Sequence, residues 1–196
     1  MSKKKNSGFT LVEMLVVMLG LGCLVSVGLP SLKAGYDEAG RMKCASNLFQ
    51  LGKGMLLYAT DNGMCLPQTD HQSDSWTHSP RSYVMNDYLS AAPCGAEYLS
   101  GLNLSRLVNV ERPSRTVFFF ELSKTYGTKS VPDHLHLAEY NGEEIPVETF
   151  QSMVGVERHM GRSNYLFLDG HVEPVSWTNV KVLINQTGSR FVDPNK

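Results

Sequence analysis

Two places in the chain combine residue types at spacings that could do chemistry. The first is His159, Asp169 and His171, with nine residues between His159 and the pair Asp169-Gly170. Two imidazoles and a carboxylate could converge on a metal ion, or act as a base and the group that orients it. The structural reading gives Asp169 to a tight turn and has His159 hydrogen-bond a backbone group, pinning the loop before it. The structural role is the expectation, because no G-x-S-x-G nucleophile motif and no glycine-rich phosphate loop accompanies the trio. The second place is Glu13, the only carboxylate or strong base between Asn6 and Leu32. Placing an acid in a membrane span costs on the order of 3 kcal/mol, so Glu13 asks for a function.

The elements around Glu13 are read from hydropathy. As a helix rising about 1.5 Å per residue, the run from Phe9 to Leu32 is long enough to cross a hydrocarbon layer of roughly 30 Å. Lys3, Lys4 and Lys5 precede it and are expected to hold that end in the cytoplasm, with the rest exported. Beyond Pro30 the pattern turns amphipathic. Met42, Ala45, Leu48, Leu51, Met55 and Tyr58 recur at three- or four-residue steps. Asp61-Asn62-Gly63 supplies a left-handed stop. The reading is one helix from about Phe9 to Thr60, bent at Pro30, half for lipid or other subunits and half needing cover from a folded domain.

At these residues a family resemblance appears. Gly8-Phe9-Thr10-Leu11-Val12-Glu13, behind three lysines and ahead of an apolar run, resembles the class III signal of type IV pilins and type II secretion pseudopilins. The resemblance implies that prepilin peptidase cuts after Gly8 and that the new N-terminus, Phe9, is methylated. It also implies that Glu13 is the assembly residue and that Pro30 is the proline of the family's helix. His159 through Asp169-Gly170 is similar to the H-X9-DG signature at the C-terminal end of some prepilin-like proteins, a likeness that assigns the motif no role. An ordinary secretory signal fits less well, because the acid sits in the core and no clean small-residue cut site follows. A lipoprotein signal at Cys23 lacks the large aliphatic residue wanted at Gly20.

Composition narrows the rest. The 196-residue chain has a net charge of −1, and Met1 to Gly8 holds three lysines and no acid, so without them the charge is −4. Such a balance does not suggest a nucleic-acid partner. Of the four cysteines, Cys23 lies in the apolar run, while Cys44, Cys65 and Cys94 fall in the exported part, where disulfides persist. Cys65 and Cys94, both in loop-like sequence, are the preferred pair. No Cys/His spacing typical of zinc is present, and neither metal nor cofactor is expected.

Val117 to Glu121 reads as a strand. Asn164–Leu168 and His171–Val175 read as a hairpin whose Asp169-Gly170 favours a type I′ turn. Leu122 to Thr149 reads as a long surface excursion with solvated acids, and Met64 to Pro113 as an irregular connection containing a short strand or turn at 81–86. The expected fold is α+β, pilin-like, a long N-terminal helix packed against a small antiparallel sheet. Its parts are a cleaved leader (1–8), a transmembrane and assembly half-helix (9–32), an amphipathic half-helix (33–62) and an exported globular domain with the C-terminal hairpin (63–196). The expected role is a structural, non-enzymatic subunit of a type IV pilus-like or type II secretion pseudopilus filament. It would be anchored in the inner membrane by a single pass, then assembled with other pilin or pseudopilin subunits into a cell-envelope filament. The alternative is an exported binding or enzyme module, membrane-anchored but never polymerised.

Overall fold

The computed structural model describes residues 8–67, 82–89, 103–124, 126, 134–140, 143–194 and 196. The chain divides into two compact units, Met1–Ala39 and Gly40–Lys196. Helix α1 covers Leu11–Asp61 and runs through Pro30 without ending. From Leu11 to Leu32 no apolar side chain is buried, and among the described residues α1 is the helix long and apolar enough to cross a membrane. It stops where expected: Gly63 takes a left-handed φ of 66°, and Met64 N donates to Ala59 O at 2.7 Å.

In the second unit the sheet holds β1 (Tyr83–Asn86), β2 (Val117–Glu121), β3 (His134–Leu135), β4 (Arg162–Phe167) and β5 (Val172–Ser176), ordered β3-β1-β2-β4-β5. The four longer strands pair antiparallel, while the short edge strand β3 pairs parallel to β1. Two short helices, α2 (Val147–Met153) and α3 (Trp177–Leu183), complete it. Strand alternation sorts the side chains onto two faces. On one, Phe120 and Tyr165 meet edge-on, Phe120 meets Phe150 of α2, and Phe150 stacks on Trp177 of α3. The opposite face lies under the C-terminal part of α1.

The expected stripe holds in its middle, where Leu48 is buried and Ala45, Leu51 and Met55 are half-buried, and turns by about one residue at its ends. Gly52 and Ala59 are buried, whereas Met42 and Tyr58 stand exposed. At Gly52 a Cβ would lie 2.8 Å from Leu166 Cδ1, so β4 comes closest where the helix has no side chain. Arg41 and Asn164 continue the seam, Asn164 Nδ2 donating to the Arg41 carbonyl at 3.1 Å.

Among the described residues after β2, 134–140 and 143–149 are not the surface excursion expected; Asp133 and its neighbours lie outside the described residues. His134, Leu135, Leu137, Ala138 and Ile145 are all buried, although Glu139, Glu143, Glu144 and Glu148 face solvent as expected. The anchor is Asp87, which accepts the backbone N–H groups of Leu137 and Ala138 at 3.0 Å. Burial pushes the Asp87 carboxyl up to about 7, against the pull of those N–H groups.

Gly155 tests the packing beside β2. A Cβ there would sit 2.7 Å from the Leu122 carbonyl oxygen, which belongs to rigid backbone. Gly155→Ala should destabilise the protein by about 1–3 kcal/mol. Gly54→Ala, with open space around it, should stabilise α1 by up to about 1 kcal/mol. Thermal denaturation of both variants checks this, and shifts of the same sign would contradict the packing described.

Candidate functional site

At the N-terminal end, Thr10 immediately precedes α1, and Glu13 lies in its first turn. Thr10 N and Oγ1 donate to Glu13 Oε2 at 2.8 and 2.9 Å, and Glu13 N donates back to Thr10 Oγ1 at 3.3 Å. This is a reciprocal capping box that satisfies otherwise orphaned helix-end donors, and its T-x-x-E pattern is written in the sequence. Gly8 and Phe9 lie outside the helix and are exposed.

The C-terminal motif forms two separate local structures. At the hairpin, type I′ geometry would need positive φ at both Asp169 and Gly170. Only Gly170 adopts it, at 91°. Gly170 N donates to Phe167 O and Phe167 N to His171 O, both at 2.9 Å, which makes Leu168-Asp169-Gly170 a three-residue loop ending in a left-handed bulge. Asp169 accepts both the His171 backbone N–H and its Nδ1. The turn rests on α1, with Leu56 Cδ1 2.8 Å from where a Gly170 Cβ would be.

His159 takes a different partner. Its Nε2 lies 3.0 Å from Glu121 Oε1, and not on a backbone group as expected. Glu121 is fully buried at the end of β2. Its Oε2 accepts Ser163 Oγ at 2.6 Å and Asn164 N at 2.8 Å. The loop is still pinned by backbone, since His159 N donates to Arg162 O at 2.9 Å. His159, Asp169 and His171 therefore do not form one site. The group that does come together is Cys44, Glu121 and His159, whose ligand atoms all lie within 4.8 Å of one another. Among the described residues it is the cluster that could hold a metal ion. Sequence reading missed Cys44 and Glu121. The available signal was an acid closing the otherwise apolar strand Val117-Phe118-Phe119-Phe120-Glu121. Among the described residues Cys23, Cys44 and Cys65 are free thiols, and Cys94, the other half of the expected disulfide, lies outside the described residues.

An exposed apolar helix with a capped start, joined to a small mixed sheet, defines the pilin-like class of α+β proteins. Residues 3–27 match the family model of the prokaryotic N-terminal methylation motif. The chain is 32% identical to type II secretion system core protein G of Aeromonas hydrophila over 99 residues, which is 47% of this chain and 68% of the relative. The same-named protein of Klebsiella pneumoniae is 31% identical over 104 residues, 48% of this chain and 74% of the relative. That of Dickeya chrysanthemi is 29% identical over 140 residues, 67% of this chain and 83% of the relative. The chain belongs to the type II secretion system core protein G family, the pseudopilins. No solved structure matches it significantly.

The hairpin account makes a paired prediction. Asp169→Asn should change stability by no more than about 0.5 kcal/mol, because Asn suits the same exposed turn. Gly170→Val should cost about 2 kcal/mol or more, since it forces a β-branched residue into left-handed backbone against Leu56. Equal loss in the two variants, measured by chemical denaturation, would contradict it.

Proposed function

We propose that this chain works as a structural subunit of a type II secretion pseudopilus, processed after Gly8, methylated at Phe9 and assembled through its N-terminal helix. The observation that carries the reading is the junction Gly8-Phe9-Thr10-Leu11-Val12-Glu13 leading into a helix whose apolar side chains from Leu11 to Leu32 have no cover. Before cleavage, Phe9–Leu32 anchors the subunit in the inner membrane, with Lys3, Lys4 and Lys5 on the cytoplasmic side and the sheet domain exported. After cleavage by prepilin peptidase, the same surface packs against neighbouring subunits, with Pro30 bending the helix to suit. Its work is assembly and not catalysis.

Moving an apolar helix from lipid to protein changes its apolar contacts little, so a polar contact has to set the register. Glu13 supplies it by turning from the Thr10 cap to the positive amine of a neighbour's Phe9. In a low-dielectric core that pair is much stronger than in water. The capping box separates two roles of Glu13. Glutamine keeps the cap but cannot neutralise an ammonium, whereas alanine loses both.

Both Glu13→Gln and Glu13→Ala should therefore insert in the membrane at wild-type levels. Both should lower the assembled fraction roughly tenfold or more, because breaking a buried ion pair costs about 3–5 kcal/mol. The readout is sheared filament or cross-linked oligomer beside total membrane-bound protein. Wild-type assembly of Glu13→Gln would show that the charge does not set the register.

A further inference from the structure

Cys44, Glu121 and His159 come from three elements that meet only in the folded unit: the exported part of α1, the end of β2 and the loop before β4. Each offers a different donor, namely a sulfur, a carboxylate oxygen and an imidazole nitrogen. Glu121 is oriented from behind, because Ser163 Oγ and Asn164 N hold Oε2 and leave Oε1 toward His159. Cys44 is partly buried. Tyr83 lies beside it, its hydroxyl donating to the Cys44 carbonyl at 3.4 Å.

From this geometry we infer that Cys44, Glu121 and His159 form a binding site for a divalent transition-metal ion of the zinc class. Donor chemistry selects the ion: thiolate with imidazole suits zinc, whereas calcium and magnesium want oxygen alone. Spacing agrees. Tetrahedral zinc with bonds of about 2.0–2.3 Å sets its donors roughly 3.5 Å apart. Here His159 and Glu121 are already 3.0 Å apart, and the whole group is within 4.8 Å. Charge agrees as well. A divalent ion with one thiolate, one carboxylate and one neutral imidazole is neutral, the state a buried site holds at least cost. Ser163 and Asn164 act as the outer hydrogen bonds that fix the carboxylate. Tetrahedral coordination leaves a fourth position for water or a further donor.

Without metal the thiol keeps its proton, since burial and the nearby Glu121 carboxylate push the Cys44 pKa up. Binding then forms the zinc–sulfur bond and releases that proton to solvent, together with any proton shared by His159 and Glu121. No oxidant or reductant is involved. The bound ion would tie α1 to both β2 and the H-X9-DG loop. His159 would reach the helix through the ion at Cys44, as Gly170 reaches it by packing at Leu56.

The test uses the full chain in detergent, free of any polyhistidine tag, stripped with chelator, loaded with zinc or cobalt and desalted. Wild type and the control Cys65→Ser should each retain about one zinc per chain, while Cys44→Ser and His159→Gln should bind roughly tenfold or more weakly. Cobalt-loaded wild type should show thiolate-to-cobalt charge-transfer absorption that Cys44→Ser lacks. Cys44→Ser is nearly isosteric at a partly buried position, so its thermal midpoint in chelator should stay near that of wild type, and zinc should raise only the wild-type midpoint. Zinc retained equally by wild type and Cys44→Ser, or by neither, would overturn the proposal. So would cobalt bound without the thiolate band.

Discussion

Between Leu11 and Leu32, α1 carries apolar side chains that the chain itself leaves uncovered. That single constraint organises the protein. Each Leu or Val gains about 0.3–0.6 kcal/mol on entering a membrane, so five to ten of them offset roughly the 3 kcal/mol that an acid costs. The segment has more than enough, and Glu13 lies near its end. Insertion is therefore favourable despite the carboxylate, and the carboxylate remains available for a contact that lipid cannot supply. In the structure Thr10 N and Oγ1 satisfy that carboxylate.

In the second unit the controlling feature is a carboxylate of the opposite kind. Glu121 is fully buried, where an unsatisfied charge would be heavily destabilising. Ser163, Asn164 and His159 satisfy it, and in doing so they fix the start of β4 against the end of β2. Register in β4 then places Leu166 over Gly52 and Asn164 beside Arg41, which seats α1 on the sheet. Loss of that carboxylate would disturb strand pairing and helix docking together, since both depend on the same few hydrogen bonds.

What could be read in the sequence was whatever has a local signature. The apolar run, the left-handed stop at Gly63 and the apolar strand Val117–Glu121 each depend on neighbours a few residues away, and each stands in the fold. Long-range placement was not legible. The ends of the stripe on α1 turned by a residue, and Gly52 joined it because Leu166 fills the space over it, a fact about β4 and not about the helix. The region after β2 dips into the core because Asp87, some fifty residues earlier, captures its backbone N–H groups. The turn at Asp169-Gly170 differs from the expected type I′ because the dipeptide fits more than one hairpin, and a three-residue loop keeps Asp169 out of the left-handed region. Cys44, Glu121 and His159 are far apart in the chain, so no spacing rule connects them.

The central claim is that Glu13 exchanges its own helix cap for a neighbour's N-terminus when subunits assemble. Zero-length carbodiimide coupling of filaments grown from mixed heavy- and light-isotope subunits reads that contact directly, because it joins only a carboxylate and an amine already touching. The account predicts an amide between Glu13 and Phe9 in which heavy and light peptides are mixed. Glu13 coupled only within one isotope, or not coupled to Phe9 at all, would contradict it.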